Sequence, residues 1–283
     1  MANEIGVTEA GSTRQALVSS IVQEVLAEKA QLLPLVTDYS SSAQPGSASL
    51  GIPRRDSFTA ATKAENTAVT NSEMTFGVDT ITFAHTYTSA KIEDMASIQS
   101  SVDVPSEVVK EVGASLARQV DTQILVQLKL ASDSDGMKVA WADTTGDDIA
   151  LADITNARYL MRGAGVMFDD ENNFALISPK QESYLLALSK IVDSSKYGDS
   201  LSIQKGELGR VYGFRFITSD LLADGESIFF NRGAVGFAAQ QNFKLEYQRD
   251  LNNLADHYVG SLLCGAKVLD SGKRQVFIST AHE

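Results

Sequence analysis

The side chains that most often bind metals or act as nucleophiles are few and scattered in this sequence. The three histidines, His85, His257 and His282, lie far from one another and from other ligands at the spacing of a zinc site. The single cysteine, Cys264, lies within an apolar run, so no disulfide can form within the chain and a small buried side chain is its simplest interpretation. We therefore predict no metal site, no catalytic thiol and no cofactor.

Three short motifs resemble known sites, but each lacks a required part. The acidic turn from Ser132 to Gly136 resembles a calcium loop, yet alanine occupies the closing glutamate position at Ala142. Gly163-Ala164-Gly165 follows a predicted helix, whereas a dinucleotide-binding glycine motif follows a strand. The sequence contains neither a phosphate-binding P-loop nor the G-x-S-x-G motif of serine hydrolases. The sequence therefore predicts no catalytic residue and favours a protein that is not an enzyme.

The bulk composition predicts a folded protein with a sizeable core. Of the 283 residues, 43% are hydrophobic and 21% are charged, which is typical of globular proteins. The formal net charge of -12 disfavours a protein that reads DNA, because an acidic surface repels phosphate. The segment from Met1 to Glu9 does not resemble a signal peptide and no apolar run is long enough for a membrane span, which predicts synthesis in the cytosol and no membrane partner.

The first third of the sequence indicates an arm and a projecting loop. Apolar residues recur at helical spacing from Thr13 to Ala30, and the small polar run from Ser40 to Ser47 is typical of an extended connector. Gly51 to Asn71 contains few large apolar residues and predicts a projecting loop or hairpin that makes no core of its own. The alternation from Met74 to Tyr87 predicts strands with one buried face.

The middle of the sequence predicts one long helix and then a compact α/β region. Apolar residues at every third or fourth position predict a helix from Pro105 to Leu130, about 39 Å long. A second helix is predicted from Leu151 to Arg162 and a strand from Asn173 to Ile177. Ser178, Pro179 and Gln181 have the spacing of a capped helix start, which predicts a third helix that ends at Lys190.

The last third of the sequence predicts short strands. One is expected from Val211 to Ile217, and three more are expected at Ser227 to Asn231, Val235 to Gln240 and Phe243 to Gln248, with a turn at Asn231-Arg232-Gly233. The tail pairs a long segment, Asn253 to Leu269, with Gln275 to Ser279, and this spacing predicts a terminal β hairpin.

The order of these parts resembles the Hong Kong-97-type major capsid proteins of tailed bacteriophages. Phe174 to Pro179 looks like the strand-to-helix step of that family, and Lys205 to Phe214 looks like its glycine-punctuated approach to a strand. The resemblance covers nearly the whole chain. It implies an α+β fold with an N-terminal arm, an extended E-loop, a spine helix in a peripheral P-domain and an axial A-domain.

The resemblance also implies domain boundaries and contact residues. The implied E-loop lies over a neighbouring subunit, which predicts inter-subunit contacts at Arg54, Arg55, Phe58, Lys63 and Glu65. Some members of the family join a loop lysine to a neighbour's asparagine, and Lys63 is the only lysine of this loop; a lysine in solvent or in an ion pair is the alternative. The predicted regions are the N-terminal arm at 1–48, the E-loop at 49–80, the P-domain at 81–145, the A-domain at 146–240 and a terminal hairpin returning to the P-domain at 241–283.

The function implied by the resemblance is that of a major capsid protein in the virion. Such subunits assemble in the host cytoplasm as pentamers and hexamers of an icosahedral shell, which encloses double-stranded DNA without reading its sequence. A separate scaffolding protein and a portal are implied, because the scaffolding extension of some members has no counterpart before the arm. An encapsulin-type compartment shell and, from another class, a soluble α/β enzyme remain as alternatives.

Overall fold

The structure is a computed structural model that describes residues 30–55, 62–63, 65–69, 76–100, 104–142, 148–168, 171–187 and 210–279. The predicted N-terminal helix, apart from Ala30, lies outside the described residues, as does the end of the third predicted helix after Ala187.

Twelve strands and four α-helices make up the regular structure of the described residues. The helices are α1 Asp94–Gln99, α2 Val104–Leu128, α3 Leu151–Gly163 and α4 Pro179–Ala187. The strands are β1 Thr37–Asp38, β2 Ser49–Arg55, β3 Phe76–Thr82, β4 Ala84–Glu93, β5 Lys138–Ala140, β6 Asn173–Ile177, β7 Arg210–Val211, β8 Phe214–Thr218, β9 Glu226–Asn231, β10 Val235–Asp250, β11 Ala255–Val268 and β12 Gln275–Ser279.

Helix α2 confirms the predicted long helix. Its 25 residues span about 38 Å at 1.5 Å per residue, with a proline at its second position, where the missing N–H costs nothing. Its buried side chains recur at the helical spacing and include Val109, Val112, Leu116, Val120 and Ile124. This face packs on β4 and β11, so the helix forms the spine of the molecule.

A four-stranded sheet has the order β1-β10-β11-β4, with β1 parallel to β10 and the other pairs antiparallel. The prediction of two short strands from Val235 to Gln248 is wrong, because β10 runs unbroken to Asp250. Irregular pairing lies between Ala239 and Lys244, where extra residues shift the register against β11. Such bulges interrupt the alternation of buried side chains, so the sequence pattern reads as two strands.

A six-stranded sheet has the order β5-β12-β9-β6-β8-β7. Strand β12 pairs with β5 and β9, whereas β11 pairs with β10 and β4, so the predicted terminal hairpin is wrong. The chain passes from one sheet to the other through Asp270, Ser271 and Gly272, which all have left-handed backbone angles. Likewise β9 and β10 lie in different sheets, and a short 3-10 helix, Arg232–Ala234, replaces the predicted turn between them.

Strands β7 and β8 correct the prediction of a single strand from Val211 to Ile217. Tyr212 and Gly213 separate them as a two-residue hairpin turn with φ of 51° and 88°. Positive φ at both central positions is the geometry that follows the twist of antiparallel strands. The sequence pattern did not indicate this turn, because tyrosine is not one of the residues that usually occupy its first central position.

The main core joins the spine helix to both sheets. Ile124 and Leu128 of α2 pack with Leu176 and Phe230 of the six-stranded sheet and with Leu262 of the four-stranded sheet. Leu32, Leu35 and Val36 belong to the same cluster. This part of the predicted N-terminal arm therefore belongs to the core.

Helices α3 and α4 cover the six-stranded sheet around a second core. Ala150 precedes α3, and Asp153 accepts hydrogen bonds from the backbone N–H groups of Ala142 and Ala150 at 2.8 Å each. Gln181 of α4 accepts from the N–H of Ile149 and donates to the carbonyl oxygen of Asp224. These buried polar groups fix the helices against the loops beside them. Among the described residues, no helix has the length and hydropathy needed to cross a membrane.

Candidate assembly surfaces

The predicted projecting loop is framed by a two-stranded hairpin of β2 and β3. The strands pair antiparallel from Ser49 with Thr82 to Arg55 with Phe76. Phe76 and Val78 are 62% and 61% exposed on one face of β3, whereas Ile81 is fully buried on the other face. The alternation thus predicted the strand correctly, but the side chains of Phe76 and Val78, which it placed on a buried face, are exposed in the single subunit. We define these two residues as the hairpin face.

Polar contacts fix the hairpin to the turn between β11 and β12. The guanidinium of Arg54 donates to the hydroxyl of Ser271 at 2.7 Å and lies 3.9 Å from the carboxylate of Asp79. That carboxylate accepts the N–H of Asp270 at 3.0 Å. Arg54, predicted as an inter-subunit contact, therefore holds the hairpin to its own subunit in this structure.

The other predicted contact residues lie at the end of β2 and in the segment that follows it. Lys63 and Glu65 are exposed, and Arg55 ends β2. Phe58 lies outside the described residues. Their contacts with a neighbouring subunit stay a prediction.

A second surface, which the sequence did not predict, lies where α1 meets the turn between β10 and β11. The guanidinium of Arg249 donates to both carboxylate oxygens of Asp94 and, at 2.9 Å, to Asp256. Lys91 donates to Asp250 at 2.9 Å, and the N–H of Asp94 donates to the carbonyl oxygen of Leu254 at 3.1 Å. These ion pairs and hydrogen bonds join the end of β4 and the start of α1 to the turn between β10 and β11. We call this set of bonds the clasp.

Large apolar side chains are exposed around this clasp. We define this group as the tip patch, and its members are Met95, Ile98, Leu251 and Leu254, with exposed fractions of 68%, 82%, 76% and 62%. Clustered exposed apolar side chains mark binding surfaces more often than single ones do. The signal in the sequence was the pair of leucines in the polar turn Leu251-Asn252-Asn253-Leu254, where an ordinary turn has small or charged residues.

We expect the clasp to lose its stabilising effect in acid. The hydrogen bond from Arg249 holds the pKa of Asp94 below 3.8, and hydrogen bonds from Asn253 and Lys91 hold the pKa of Asp250 below its usual range. A depressed folded-state pKa contributes stability that is present above the unfolded-state value and is lost as pH falls through the folded-state value. Asp94→Asn should therefore unfold at lower denaturant than wild type at pH 7, and this gap should shrink below pH about 4. A gap that stays constant down to pH about 2 would show that this ion pair contributes nothing.

The described residues give no support for a metal or thiol site. They contain no group of three or more histidine, cysteine, aspartate or glutamate side chains placed to hold a metal ion. Burial raises the pKa of Cys264 to about 11, and its thiol donates to the amide oxygen of Gln123 at 3.4 Å. At neutral pH this cysteine is a protonated core side chain, in agreement with its sequence interpretation.

Solved capsid structures share this architecture. The structure of Mycobacterium phage Che8 matches with a TM-score of 0.73 at 18% identity, covering 87% of this chain and 89% of that chain. The capsid of Cyanophage Pam1 matches with a TM-score of 0.72 at 11% identity, covering 90% and 93%. The capsid of a native GTA particle matches with a TM-score of 0.69 at 14% identity, covering 89% and 90%. The α+β fold is therefore the Hong Kong-97-type capsid fold.

A model of a protein family described as phage capsid protein matches residues 21–277, so the chain belongs to the phage capsid protein family. Among curated proteins, none matches the sequence. The chain is a structural protein, a major capsid protein of a phage shell, and its location is the capsid of the virion. The encapsulin-type and enzyme alternatives are not favoured.

Proposed function

We propose that copies of this subunit close into an icosahedral shell of pentamers and hexamers by burying the hairpin face and the tip patch against neighbouring copies. The observation that carries the proposal is the exposed face of β3, where the side chains of Phe76 and Val78 are 62% and 61% exposed. Burying a large apolar side chain is worth roughly 1.5–3 kcal/mol. Two such side chains, repeated at every contact of a closed assembly, give a sizeable driving force for association.

The proposed regions are those that the family resemblance implies. Residues 49–80 act as the E-loop, residues 81–145 with α2 act as the P-domain, and residues 146–240 act as the A-domain. The hairpin is bonded to its own subunit through Arg54, Asp79 and Asp270, and Thr82 lies against Gly265. Phe76 and Val78 remain exposed and are available to a neighbour. The N-terminal arm of residues 1–48 is anchored by Leu32, Leu35 and Val36 in the main core.

The proposed contents of the shell are double-stranded DNA held without sequence recognition. The net charge of -12 supports a wall that does not grip phosphate, because neutralisation of phosphates requires an excess of lysine and arginine. A separate scaffolding protein and a portal complete the proposed set of partners. Purified particles should therefore release long double-stranded DNA when they are opened.

The hairpin face gives the sharpest test of this proposal. Phe76→Asp together with Val78→Asp is expected to leave a folded subunit, since both side chains are exposed in it, but to abolish stable shells. The reason is that each contact would then bury unpaired charge in place of apolar surface. Electron microscopy and sedimentation of particles from cells that express the variant would measure the loss.

The matched control is Phe76→Leu together with Val78→Ile, which keeps the hairpin face apolar and should still form shells. Circular dichroism of both variants should equal that of wild type. Normal yields of closed particles from the aspartate variant would contradict the proposed contact.

A further inference from the structure

A groove on the surface of α3 is lined by cationic side chains, although the protein as a whole is acidic. It has a volume of about 920 Å³ and lies beside the turn that precedes β12. Its lining includes Arg158, Arg162 and Lys273, and Asp135 is the carboxylate among its described lining residues. We call it the α3 groove. Its local excess of cations is opposite in sign to the chain's net charge of -12 and favours an anionic ligand.

The lining of the α3 groove also offers apolar surface. Met137 and Leu160 lie in its wall, and Tyr159 is 75% exposed beside them. A phosphate backbone would use only the cations, whereas a peptide with acidic and apolar side chains would use both parts of the lining. The groove therefore fits an acidic peptide better than a nucleic acid.

One cation of the groove is held in place before any ligand arrives. The guanidinium of Arg158 donates to the carbonyl oxygen of Tyr212 at 2.8 Å and lies 5.0 Å from the ring centroid of Phe168. A fixed arginine loses less side-chain entropy when it pairs with a carboxylate. Lys273 is only 3.6 Å from Asp135, a loose pair that a second carboxylate can join.

A segment of matching chemistry lies at the start of the sequence. Residues 1–12 contain the acids Glu4 and Glu9 and the apolar residues Ile5 and Val7, and the first cationic side chain is that of Arg14. The match to the phage capsid family begins at residue 21, so this segment lies outside the family match. Its role is therefore a property of this chain and not of the matched family region.

The described part of the arm begins at the spine helix. The N–H of Gln31 donates to the carboxylate of Asp121 at 2.8 Å. Asp121 lies seven residues before the end of α2 at Leu128, or about 10 Å along the helix, and the turn after α2 supplies Asp135 to the groove. The 18 residues from 13 to 30 span about 27 Å even as a helix, and this length sets the minimum reach of residues 1–12 from the point where the arm meets the spine helix.

We propose that residues 1–12 of this chain dock in the α3 groove, with Glu4 and Glu9 paired to Arg158, Arg162 and Lys273. Docking places a second anchor on the arm, beyond the core contacts of Leu32 and Val36. The occupied groove then presents a neutralised surface where the bare subunit presents a cationic one.

Hydrogen–deuterium exchange of the full chain, read by mass spectrometry in subunits and in assembled particles, tests this docking. In wild type, the amides of residues 1–12 should be protected in at least one of the two forms. Glu4→Arg with Glu9→Arg should lower this protection about tenfold or more, and so should Arg162→Glu with Lys273→Glu. The four changes combined should restore it, because the charges are exchanged. Lys244→Glu, at an exposed cation of β10, is the matched control and should change nothing.

Three results would overturn the docking. The first is exchange of residues 1–12 in wild type as fast as in a free peptide. The second is protection of residues 1–12 that survives Arg162→Glu with Lys273→Glu. The third is continued protection of the groove's own amides after Glu4→Arg with Glu9→Arg. Packaged nucleic acid or another protein would then occupy the groove. Loss of that protection in particles emptied of nucleic acid would identify the nucleic acid as the occupant.

Discussion

Replacing Gly265 by alanine should destabilise the subunit more than any other single methyl addition in the sheets. A Cβ atom at this position would lie 2.3 Å from the carbonyl oxygen of Thr82 and 3.0 Å from a methyl group of Ile81. Because the nearest atom belongs to the backbone, a change of rotamer cannot relieve the clash, and the junction between β3 and the four-stranded sheet must move. Overpacking of a well-packed region typically costs about 1–3 kcal/mol, and we expect Gly265→Ala to lie at or above the upper end.

Denaturant unfolding of the unassembled subunit measures this effect, and Gly163→Ala supplies its matched control. Gly163 ends α3, and a Cβ there would meet no atom within 4 Å. The same change of residue should therefore be neutral or stabilise by up to about 1 kcal/mol, since alanine favours helix. Equal unfolding midpoints for the two variants would show that the close approach at Thr82 is absent in solution.

Replacing Asp121 by alanine is expected to have the second large effect. Asp121 is 3% exposed on the spine helix and accepts the N–H groups of Gln31 at 2.8 Å and of Leu32 at 3.0 Å. Its loss would leave these two amides without an acceptor where the arm enters the core. An orphaned buried group costs about 1–3 kcal/mol, so Asp121→Ala should lower the free energy of unfolding by about 2–5 kcal/mol.

Asparagine at the same position tests the effect of the buried charge while an acceptor oxygen is still present. Burial raises the pKa of Asp121, although the amides of Gln31 and Leu32 oppose this shift. A raised folded-state pKa means that the stabilising contribution is present below the unfolded-state value and is lost as pH rises through the folded-state value. Gln31 and Leu32 donate to different oxygens of Asp121, so Asp121→Asn keeps an acceptor for one of the two N–H groups and removes the buried charge. It should therefore cost less than alanine and remove this pH dependence. An asparagine variant that is less stable than the alanine variant at pH 7 would contradict this account.

The parts of the fold that follow local rules could be predicted from the sequence. Helix α2 has a mostly apolar stripe from Val109 to Leu128, and α4 begins at the proline that follows a capping serine. Strand β6 was predicted with its observed bounds because all five of its residues are buried and bounded by polar residues. In each case the signal lies within a few residues of the element that it specifies.

The parts that depend on distant partners could not be predicted. The long segment around β11 and the last strand β12 have the spacing of a hairpin, but β12 finds its partners in β5 and β9, far away in sequence. The residues near β11 and β12 do not distinguish a hairpin between these strands from the pairing of β12 with β5 and β9. The pairing is decided by the core that both sheets share with the spine helix.

The candidate assembly surfaces show the same limit. Alternation in β3 identifies a strand with an apolar face, but it cannot tell whether that face is covered by the same subunit or by a neighbour. In our proposal a neighbour covers Phe76 and Val78. Arg54 was expected to contact a neighbour, but in this structure it is bonded to Ser271 of its own chain. The tip patch was missed because its four residues come from two segments about 155 positions apart.

Electron cryomicroscopy of particles formed by the wild-type chain would show whether the subunit closes into shells through the hairpin face. We expect closed shells with pentamers and hexamers, in which Phe76 and Val78 are buried against a neighbouring copy. A protein that stays monomeric at every concentration, or shells in which this face of β3 remains exposed to solvent, would contradict it.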